Sequence, residues 1–499
     1  MTPFVTFVRG PLVTASRALN TEATPALGVA YLLGTLRKAG VACHFVDGLG
    51  EGLDQRERYG TAYAQGLPLE AIVARVPAQT TLIGLTSMFS GDWPVLRELA
   101  TRLRQRFPQA LLVAGGEHVT ALPEYCLRDC PAIDLIVRGE GEATLLALAQ
   151  GESTVPGTAY LNSLQQYVEV GGLPRTRAVD ALPWPYWPPG YLERFWVAGK
   201  SFGVQSERDM PILATRGCPY RCTFCSSPQM WTTAYVLRDV EDVIAEIKSY
   251  IARYDITSLQ YYDLTAITKK SWIVQFCTRL LEEGIQVPWS LPSGTRSEAL
   301  DTETLALLKR TGCSYLVYAP ESGSQATLEI IKKRMSLPRL TASVLEAKRL
   351  GLVIRTNLII GFPHETRRDI WQTLRYGLSL AWQGADEVTV NIFSPYPGTE
   401  LFAQLVQDGT VTVNDQYFAA LSSLNSDFFT LHPLTVNRHV GRVELAGYRT
   451  GFMALNYLVG YLRYPRRIAR SLTNVWHGTQ AATVLEHRLN DAIRRYRAT

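Results

Sequence analysis

The alternation of short β-branched runs with amphipathic helical segments constrains the fold of this chain more than any other feature. Between residues 1 and 154, segments with strand-like patterns are each followed by segments with helical periodicity. Such an alternation produces right-handed βαβ units and a parallel sheet covered by helices. The sequence therefore predicts an α/β fold whose N-terminal part is a Rossmann-like, doubly wound parallel sheet. Its strands are predicted at Phe4–Val8, His44–Asp47, Leu82–Thr86, Ala110–Ala114 and Ile133–Val137.

A second alternation covers residues 206–400 and repeats six times, which suits a parallel barrel or a partial (β/α)6 barrel. The chemistry of such barrels lies at the carboxyl ends of their strands. Residues 155–205 combine a predicted hairpin with the segment DALPWPYWPPG, which is typical of a connection between domains. Residues 401–499 show a mostly helical pattern and are expected to form a C-terminal cap. The barrel strands are predicted at Ile212–Thr215, Leu259–Asp263, Val287–Leu291, Tyr315–Ala319, Ile354–Ile360 and Val388–Phe393.

Small and polar residues follow three consecutive strands of the predicted N-terminal sheet. Ligands of such sheets bind beyond the carboxyl ends of the strands, where glycines let the backbone approach closely. The first strand-to-helix connection lacks the pattern G-x-G-x-x-G, so a nicotinamide or flavin site is not indicated. From the residues alone, tight turns and a ligand site are equally acceptable explanations. The segments are Gly84–Ser87, Gly115–His118 and Arg138–Glu142.

Three of the eight cysteines form the pattern C-x3-C-x2-C directly after the first barrel strand: Cys218, Cys222 and Cys225. A structural zinc site needs four ligands in a closed tetrahedron, and no fourth Cys or His lies nearby in the sequence. Three thiolates on one loop suit a [4Fe–4S] cluster that leaves one iron open to a small molecule. The pattern therefore predicts a cluster at the mouth of the barrel. We expect the other cysteines to be core residues.

The stretch RGCPYRCTFC resembles the signature of the radical S-adenosylmethionine (SAM) superfamily, in which three cysteines hold such a cluster and its open iron binds SAM. Residues that end later strands, in QYYD, APESGS and GFPHET, also match this superfamily. Helix capping is the structural alternative for the first two residues of ESGS. The resemblance implies a radical SAM barrel whose SAM contacts are Phe224, Asp263, Glu321, Ser322 and Gly361. No second set of three cysteines is present, which weighs against a methylthiotransferase.

The segments PALGVAYL, AGGEH and VRGEGE resemble the cobalamin-binding domain that precedes the barrel in the B12-dependent branch of this superfamily. The motif D-x-H-x-x-G of enzymes that ligate cobalt through histidine is absent. His118 is therefore expected to be a turn residue or a contact to the corrin rather than the lower axial ligand. The resemblance implies a cobalamin site that includes Thr86, Ser87, Gly115, Gly116, Glu117, His118, Gly139 and Glu140.

The resemblance implies a cobalamin-dependent methyltransferase. The reduced cluster would cleave SAM to a 5′-deoxyadenosyl radical, and methylcobalamin would methylate an unactivated carbon of a small-molecule or natural-product intermediate. An external flavodoxin-like or ferredoxin-like protein would donate the electron. Two alternatives stay open: an oxidative cyclase or ring-rearranging enzyme of the same branch, and a non-catalytic cobalamin- or cluster-binding sensor.

The charge distribution excludes a generally basic, nucleic-acid-binding body. Eight arginines and only two acidic residues lie between Arg463 and Thr499, whereas the rest of the chain has 42 basic and 43 acidic residues. The aromatic-rich segment before this region predicts either a packed helix with a basic end or a helix that lies on anionic lipid. The apolar run Thr450–Leu462 is shorter than a membrane span, and MTPFVTFVRG does not resemble a signal peptide. A cytoplasmic location is expected.

Overall fold

The computed structural model describes residues 3–15, 18, 23–200, 202, 206–423 and 434–477, together with residues 483, 485, 486, 489, 490 and 493. Its N-terminal part is built on a seven-stranded sheet with the order β10-β9-β8-β7-β6-β1-β3. The strands are β1 (Phe4–Arg9), β2 (Leu12–Ala15), β3 (Ala42–Asp47), β4 (Arg56–Tyr59), β5 (Ala62–Gln65), β6 (Leu82–Thr86), β7 (Leu111–Gly115), β8 (Leu135–Val137), β9 (Thr158–Leu161) and β10 (Tyr167–Val170).

Strands β3, β1, β6, β7 and β8 are parallel neighbours, which confirms the predicted doubly wound sheet. The third helix, Trp93–Arg106, illustrates the sequence pattern that predicted these units. Leu96, Leu99 and Leu103 recur at helical spacing, and all three are buried. The small antiparallel sheet β2-β5-β4 was not predicted from the sequence. The helices of this part are α1 (Leu27–Lys38), α2 (Leu69–Arg75), α3 (Trp93–Arg106), α4 (Glu117–Ala121), α5 (Pro123–Asp129) and α6 (Glu142–Ala149).

The hairpin β9-β10 extends the N-terminal sheet, because β9 pairs with β8 in an antiparallel register. The Pro- and Trp-rich connection that follows packs back onto helix α1 of the N-terminal part. The backbone amide of Tyr186 donates to the Ala30 carbonyl at 2.9 Å, and the guanidinium of Arg37 lies 4.0 Å from the centre of the Tyr186 ring. The connection ends in helix α7 (Tyr191–Val197).

Six parallel strands form the second sheet in the order β11-β14-β15-β16-β17-β18, which confirms the predicted partial barrel. A separate two-stranded ribbon, β12-β13, stands beside its first strand. The strands are β11 (Asp209–Ile212), β12 (Thr215–Arg216), β13 (Val236–Leu237), β14 (Ser258–Tyr261), β15 (Trp289–Thr295), β16 (Cys313–Glu321), β17 (Val353–Ile360) and β18 (Glu387–Ile392). The helices are α8 (Ser227–Met230), α9 (Val240–Tyr254), α10 (Lys270–Glu282), α11 (Thr302–Arg310), α12 (Gln325–Ile330), α13 (Leu337–Arg349) and α14 (Arg367–Gln383).

The C-terminal part is helical, as predicted, with α15 (Glu400–Gln407), α16 (Asp415–Ser423), α17 (Arg442–Arg463) and α18 (Arg466–His477). Two of its arginines dock on the barrel through one buried carboxylate. Arg470 lies 3.0 Å from Asp386, and Arg467 lies 3.4 Å from it and donates to the carbonyls of Gly384 and Ala385. Part of the basic segment therefore packs against the barrel. No helix in the described ranges is long and apolar enough to cross a membrane.

Candidate functional site

The loop with the three cysteines begins where the chain leaves the first barrel strand. β11 ends at Ile212, earlier than the predicted strand, and Thr215 and Arg216 pair with β13 outside the six-stranded sheet. Gly217 follows with a φ of +86°, and a Cβ there would collide with the carbonyl oxygen of Ala234. Only glycine adopts this conformation in so little space. The loop therefore turns sharply away from β12 towards the mouth of the barrel.

The three thiols are free, partly buried and near enough to influence one another. Burial raises the pKa of Cys225 to about 12, and the thiols of Cys222 and Cys218 add to that increase. Burial also raises the pKa of Cys222, whereas Lys333 and Arg296 lower it. Across the part of the chain that the structure describes, no three His, Cys, Asp or Glu side chains converge on the position of a single metal ion. Cluster ligands each bind a different iron and so stand farther apart than the ligands of one ion.

Asp263 binds the segment that leads into this loop. Its buried carboxylate accepts hydrogen bonds from the Ala214 backbone amide at 3.1 Å and from Oγ1 of Thr215 at 2.6 Å. Burial raises the pKa of Asp263 to about 6, although these hydrogen bonds lower it. The expectation that Asp263 contacts SAM finds no support in this position, because its oxygens bind the chain that leads to the cysteines.

Glu321 is the last residue of β16 and Ser322 follows it, and neither caps the next helix. Glu321 has a φ of +66°, and its Oε1 accepts a hydrogen bond from Nζ of buried Lys333 at 2.8 Å. Oγ of Ser322 lies 2.8 Å from Oγ1 of Thr373 and accepts from the backbone amide of Ser324, which is the residue that caps α12. Glu321 therefore brings a buried ion pair beside Cys222, whereas the Ser322 hydroxyl fixes a turn.

Gly361 and Phe362 form the turn after β17. Gly361 has a φ of +87°, and the backbone amides of Gly361 and Phe362 donate to the carboxylate of Glu365 at 2.6 and 3.0 Å. Burial raises the pKa of Glu365 to about 7. The Phe362 ring packs edge to face on Phe224 with ring centres 5.7 Å apart. The structure thus joins two of the predicted SAM contacts, Phe224 and the Gly361 turn, through one aromatic contact.

A cavity of about 360 Å³ lies between the N-terminal sheet and the barrel. One wall consists of the carboxyl ends of N-terminal strands together with the start of α1. The other wall consists of residues that flank the cysteine loop, including Arg216, Met230 and Trp231. Six of the predicted cobalamin contacts line this cavity: Thr86, Gly115, Gly116, Glu117, Gly139 and Glu140.

His118 and Ser87 do not line the cavity. The His118 ring is buried, with Nδ1 2.9 Å from Oγ of Ser90 and Nε2 3.4 Å from Sγ of Cys126. Its ring also packs against Trp93, and burial lowers its pKa to about 3. Both ring nitrogens are therefore engaged inside the domain. The structure thus places His118 in the buried first turn of α4, outside the lining of the cavity.

Several residues of the site were not singled out as site residues from the sequence. Arg216 precedes the cysteine loop and reaches into the N-terminal domain, while Lys333 and Arg296 face Cys222. The Arg296 guanidinium lies 3.7 Å from the ring centre of Tyr220 within the cysteine loop. No spacing marks Arg216 or Lys333, because they approach the cysteines from different segments. Arg296 follows the third barrel strand, where the pair Thr295 and Arg296 resembles a recurrent element of the superfamily.

Comparison with known families fits this geometry. Residues 212–377 match the model of the radical SAM superfamily, and residues 19–149 match the B12-binding domain. The chain is a radical SAM enzyme with a B12-binding domain. It is 28% identical to an uncharacterized methyltransferase of Pyrococcus horikoshii over 80% of this chain and 82% of the relative. It is also 26% identical to the anaerobic magnesium-protoporphyrin IX monomethyl ester cyclase of Cereibacter sphaeroides over 76% of this chain and 60% of that enzyme.

A solved radical SAM structure has the same fold. The radical SAM methyltransferase TsrM from Kitasatospora setae, with cobalamin and a [4Fe–4S] cluster bound, superposes with a TM-score of 0.63. The match covers 82% of this chain and 75% of TsrM at 17% identity, so it concerns the fold alone. The cofactors of this radical SAM enzyme are a [4Fe–4S] cluster, SAM and cobalamin.

The described residues of the enzyme fit these groups. Three free thiols on one turn, next to two buried cations, provide a donor set for a cluster. For cobalamin, the glycines that line the cavity leave space for a ligand. A Cβ added at Gly28, for example, would meet no atom within 4 Å. The half-buried ring of Phe224, which the buried Phe362 ring contacts edge to face, offers an aromatic surface of the kind on which an adenine packs.

Proposed function

We propose that this enzyme is a cobalamin-dependent radical SAM methyltransferase that acts on an unactivated carbon of a small-molecule or natural-product intermediate. One observation carries the proposal: the cavity between the domains is bounded by predicted cobalamin contacts on one side and by residues flanking the cysteine loop on the other. A substrate between these walls would face both cofactors at once.

The cofactors, when bound, supply one-electron cleavage of SAM and a transferable methyl group. The residues of the chain supply position and shielding. Trp231, Met230 and Leu213 give the barrel side of the cavity an apolar lining, which keeps water from a reactive carbon. Asp263 fixes the start of the cysteine loop, and Lys333 and Arg296 place positive charge beside Cys222, which favours its thiolate form.

Anaerobic reconstitution tests this proposal. The protein is loaded with iron, sulfide and cobalamin, then incubated with a metabolite extract, a strong reductant and SAM carrying a deuterated methyl group. We expect 5′-deoxyadenosine and S-adenosylhomocysteine to accumulate and one metabolite to gain the labelled methyl group. The variant Cys222→Ala should form no 5′-deoxyadenosine and should label no metabolite. Cys313→Ala, which removes a buried thiol of β16, is the matched control and should behave as the wild type.

The cyclase relative supports a second candidate, an oxidative cyclase or ring-rearranging enzyme. In that case 5′-deoxyadenosine would form without S-adenosylhomocysteine, and no metabolite would gain the label. A protein that binds the cluster yet leaves SAM intact under these conditions would contradict both candidates.

A further inference from the structure

A buried cluster of four charged side chains joins the two halves of the cavity. We call it the Arg216 cluster; it consists of Arg216, Glu140, Glu142 and Arg175. Arg216 places Nη2 2.7 Å from Oε1 of Glu142 and Nη1 3.2 Å from Oε1 of Glu140, and Arg175 lies 3.0 Å from the same oxygen of Glu140. All four side chains are at most 10% exposed. Two positive and two negative charges thus balance each other away from water.

The Arg216 cluster draws on three different parts of the chain. Glu140 and Glu142 follow β8 of the B12-binding domain, Arg175 belongs to the connection between the domains, and Arg216 is the last residue of β12. The guanidinium of Arg216 also lies 4.8 Å from the ring centre of Tyr31 in α1. Its two Nη atoms are each held by a different carboxylate of the N-terminal domain, so the guanidinium is fixed between the two domains.

The cluster lies directly between the two predicted cofactor sites. Arg216 and Glu140 both line the cavity, and Arg216 is separated from Cys218 by Gly217 alone. A Cβ at Gly217 would collide with the carbonyl oxygen of Ala234, to which Nη2 of Arg175 also donates at 3.0 Å. Arg216 and the start of the cysteine loop therefore lie in one closely packed region with Arg175.

We propose that Arg216 is a positioning residue that sets the separation between cobalamin on the N-terminal domain and the cluster held by the cysteine loop. The proposal rests on the function proposed above, in which both cofactors face one substrate. Small displacements of reacting groups have large effects on rate, so a fixed separation is needed. An arginine suits this task because its two Nη atoms reach two carboxylates in fixed geometry, which a lysine ammonium cannot do as rigidly.

The separation can be measured without a substrate. In the fully loaded enzyme, the reduced cluster and cob(II)alamin each carry an unpaired electron, and the spin–spin coupling between them reports their distance by EPR spectroscopy. The wild type should give a single, narrow distribution of coupling strengths, which corresponds to one fixed distance. Arg216→Met should lose this narrow feature while retaining iron and cobalamin, and Arg216→Lys should restore it in part. Arg279→Met, which removes a surface arginine of α10 that pairs with three glutamates, is the matched control and should resemble the wild type.

Since removal of a buried charge can impair folding, Glu142→Gln provides a second test. It removes one partner and leaves the contact between Arg216 and Glu140 in place. We expect a broadened coupling in this variant too. An unchanged coupling in Arg216→Met or Glu142→Gln, with only a lower melting temperature, would overturn the positioning role and leave the methyltransferase proposal intact. A wild-type protein that binds no cobalamin would instead overturn both.

Discussion

The ammonium group of Lys333 lies 2.8 Å from Oε1 of Glu321, and both side chains are buried at the mouth of the barrel. Breaking a buried ion pair by removing one partner leaves an uncompensated charge, which costs about 3–5 kcal/mol. We therefore expect Lys333→Met to lower the free energy of unfolding by about this amount, measured by urea unfolding of the anaerobic protein. A change below 1 kcal/mol would show that the pair contributes little.

The backbone of Glu321 permits an internal control for this pair. Its φ of +66° is unfavourable for any residue with a Cβ, at a cost of about 1–2 kcal/mol. Glu321→Ala and Glu321→Gly both remove the ion pair, but only the glycine variant relieves the backbone. The glycine variant should therefore be the more stable of the two by about 1 kcal/mol in the same unfolding experiment. A less stable glycine variant would contradict this account of the turn.

His118 should be dispensable for cobalt ligation, because both of its ring nitrogens contact other side chains of the N-terminal domain. We expect His118→Phe to bind cobalamin with the absorbance and cob(II)alamin EPR spectra of the wild type. Loss of the hydrogen bonds to Ser90 and Cys126 should lower stability by about 1–3 kcal/mol, seen in the melting temperature. A changed cobalt spectrum in this variant would identify His118 as a ligand after all.

Gly116 should tolerate no side chain. Its φ is +126°, and a Cβ there would collide with the backbone of Ser87 at the end of β6. Since Gly116 lines the cavity, Gly116→Ala should displace this wall and weaken cobalamin binding at least tenfold in an absorbance titration, a cost of about 1.4 kcal/mol. The control Gly447→Ala lies in α17 with no atom within 4 Å of the added Cβ. It should bind cobalamin normally.

Glu365 should make stability depend on pH. Burial raises its pKa from the ordinary value of 4.5 to about 7, so the folded protein holds a proton that the unfolded chain releases. Its effect is therefore absent below pH 4.5 and becomes increasingly destabilising as the pH rises from 4.5 to about 7, by up to roughly 3 kcal/mol. Comparing the melting temperatures of the wild type and Glu365→Gln between pH 5 and 8 measures this effect. The difference between them should shift in favour of Glu365→Gln as the pH rises; a constant difference would contradict the raised pKa.

The sequence alone determined the two α/β units, because strand and helix periodicities are local properties of the chain. It also marked Cys218, Cys222 and Cys225, since their spacing within one loop needs no distant partner. The segments that follow the N-terminal strands were marked as a candidate ligand site for the same reason. Six of the eight residues assigned to the cobalamin site line the cavity.

Tertiary structure alone decided which partners the polar groups near the strand ends have. The side chains of Asp263, Glu321 and Ser322, predicted to contact SAM, bind Thr215, Lys333 and Thr373. His118, predicted to be a turn residue or a corrin contact, binds Ser90. A buried polar group takes the partner that the fold brings to it, and no local pattern specifies that partner. The junction of Arg216 with Glu140 and Glu142 spans more than 70 residues of sequence, so only the packed domains could reveal it.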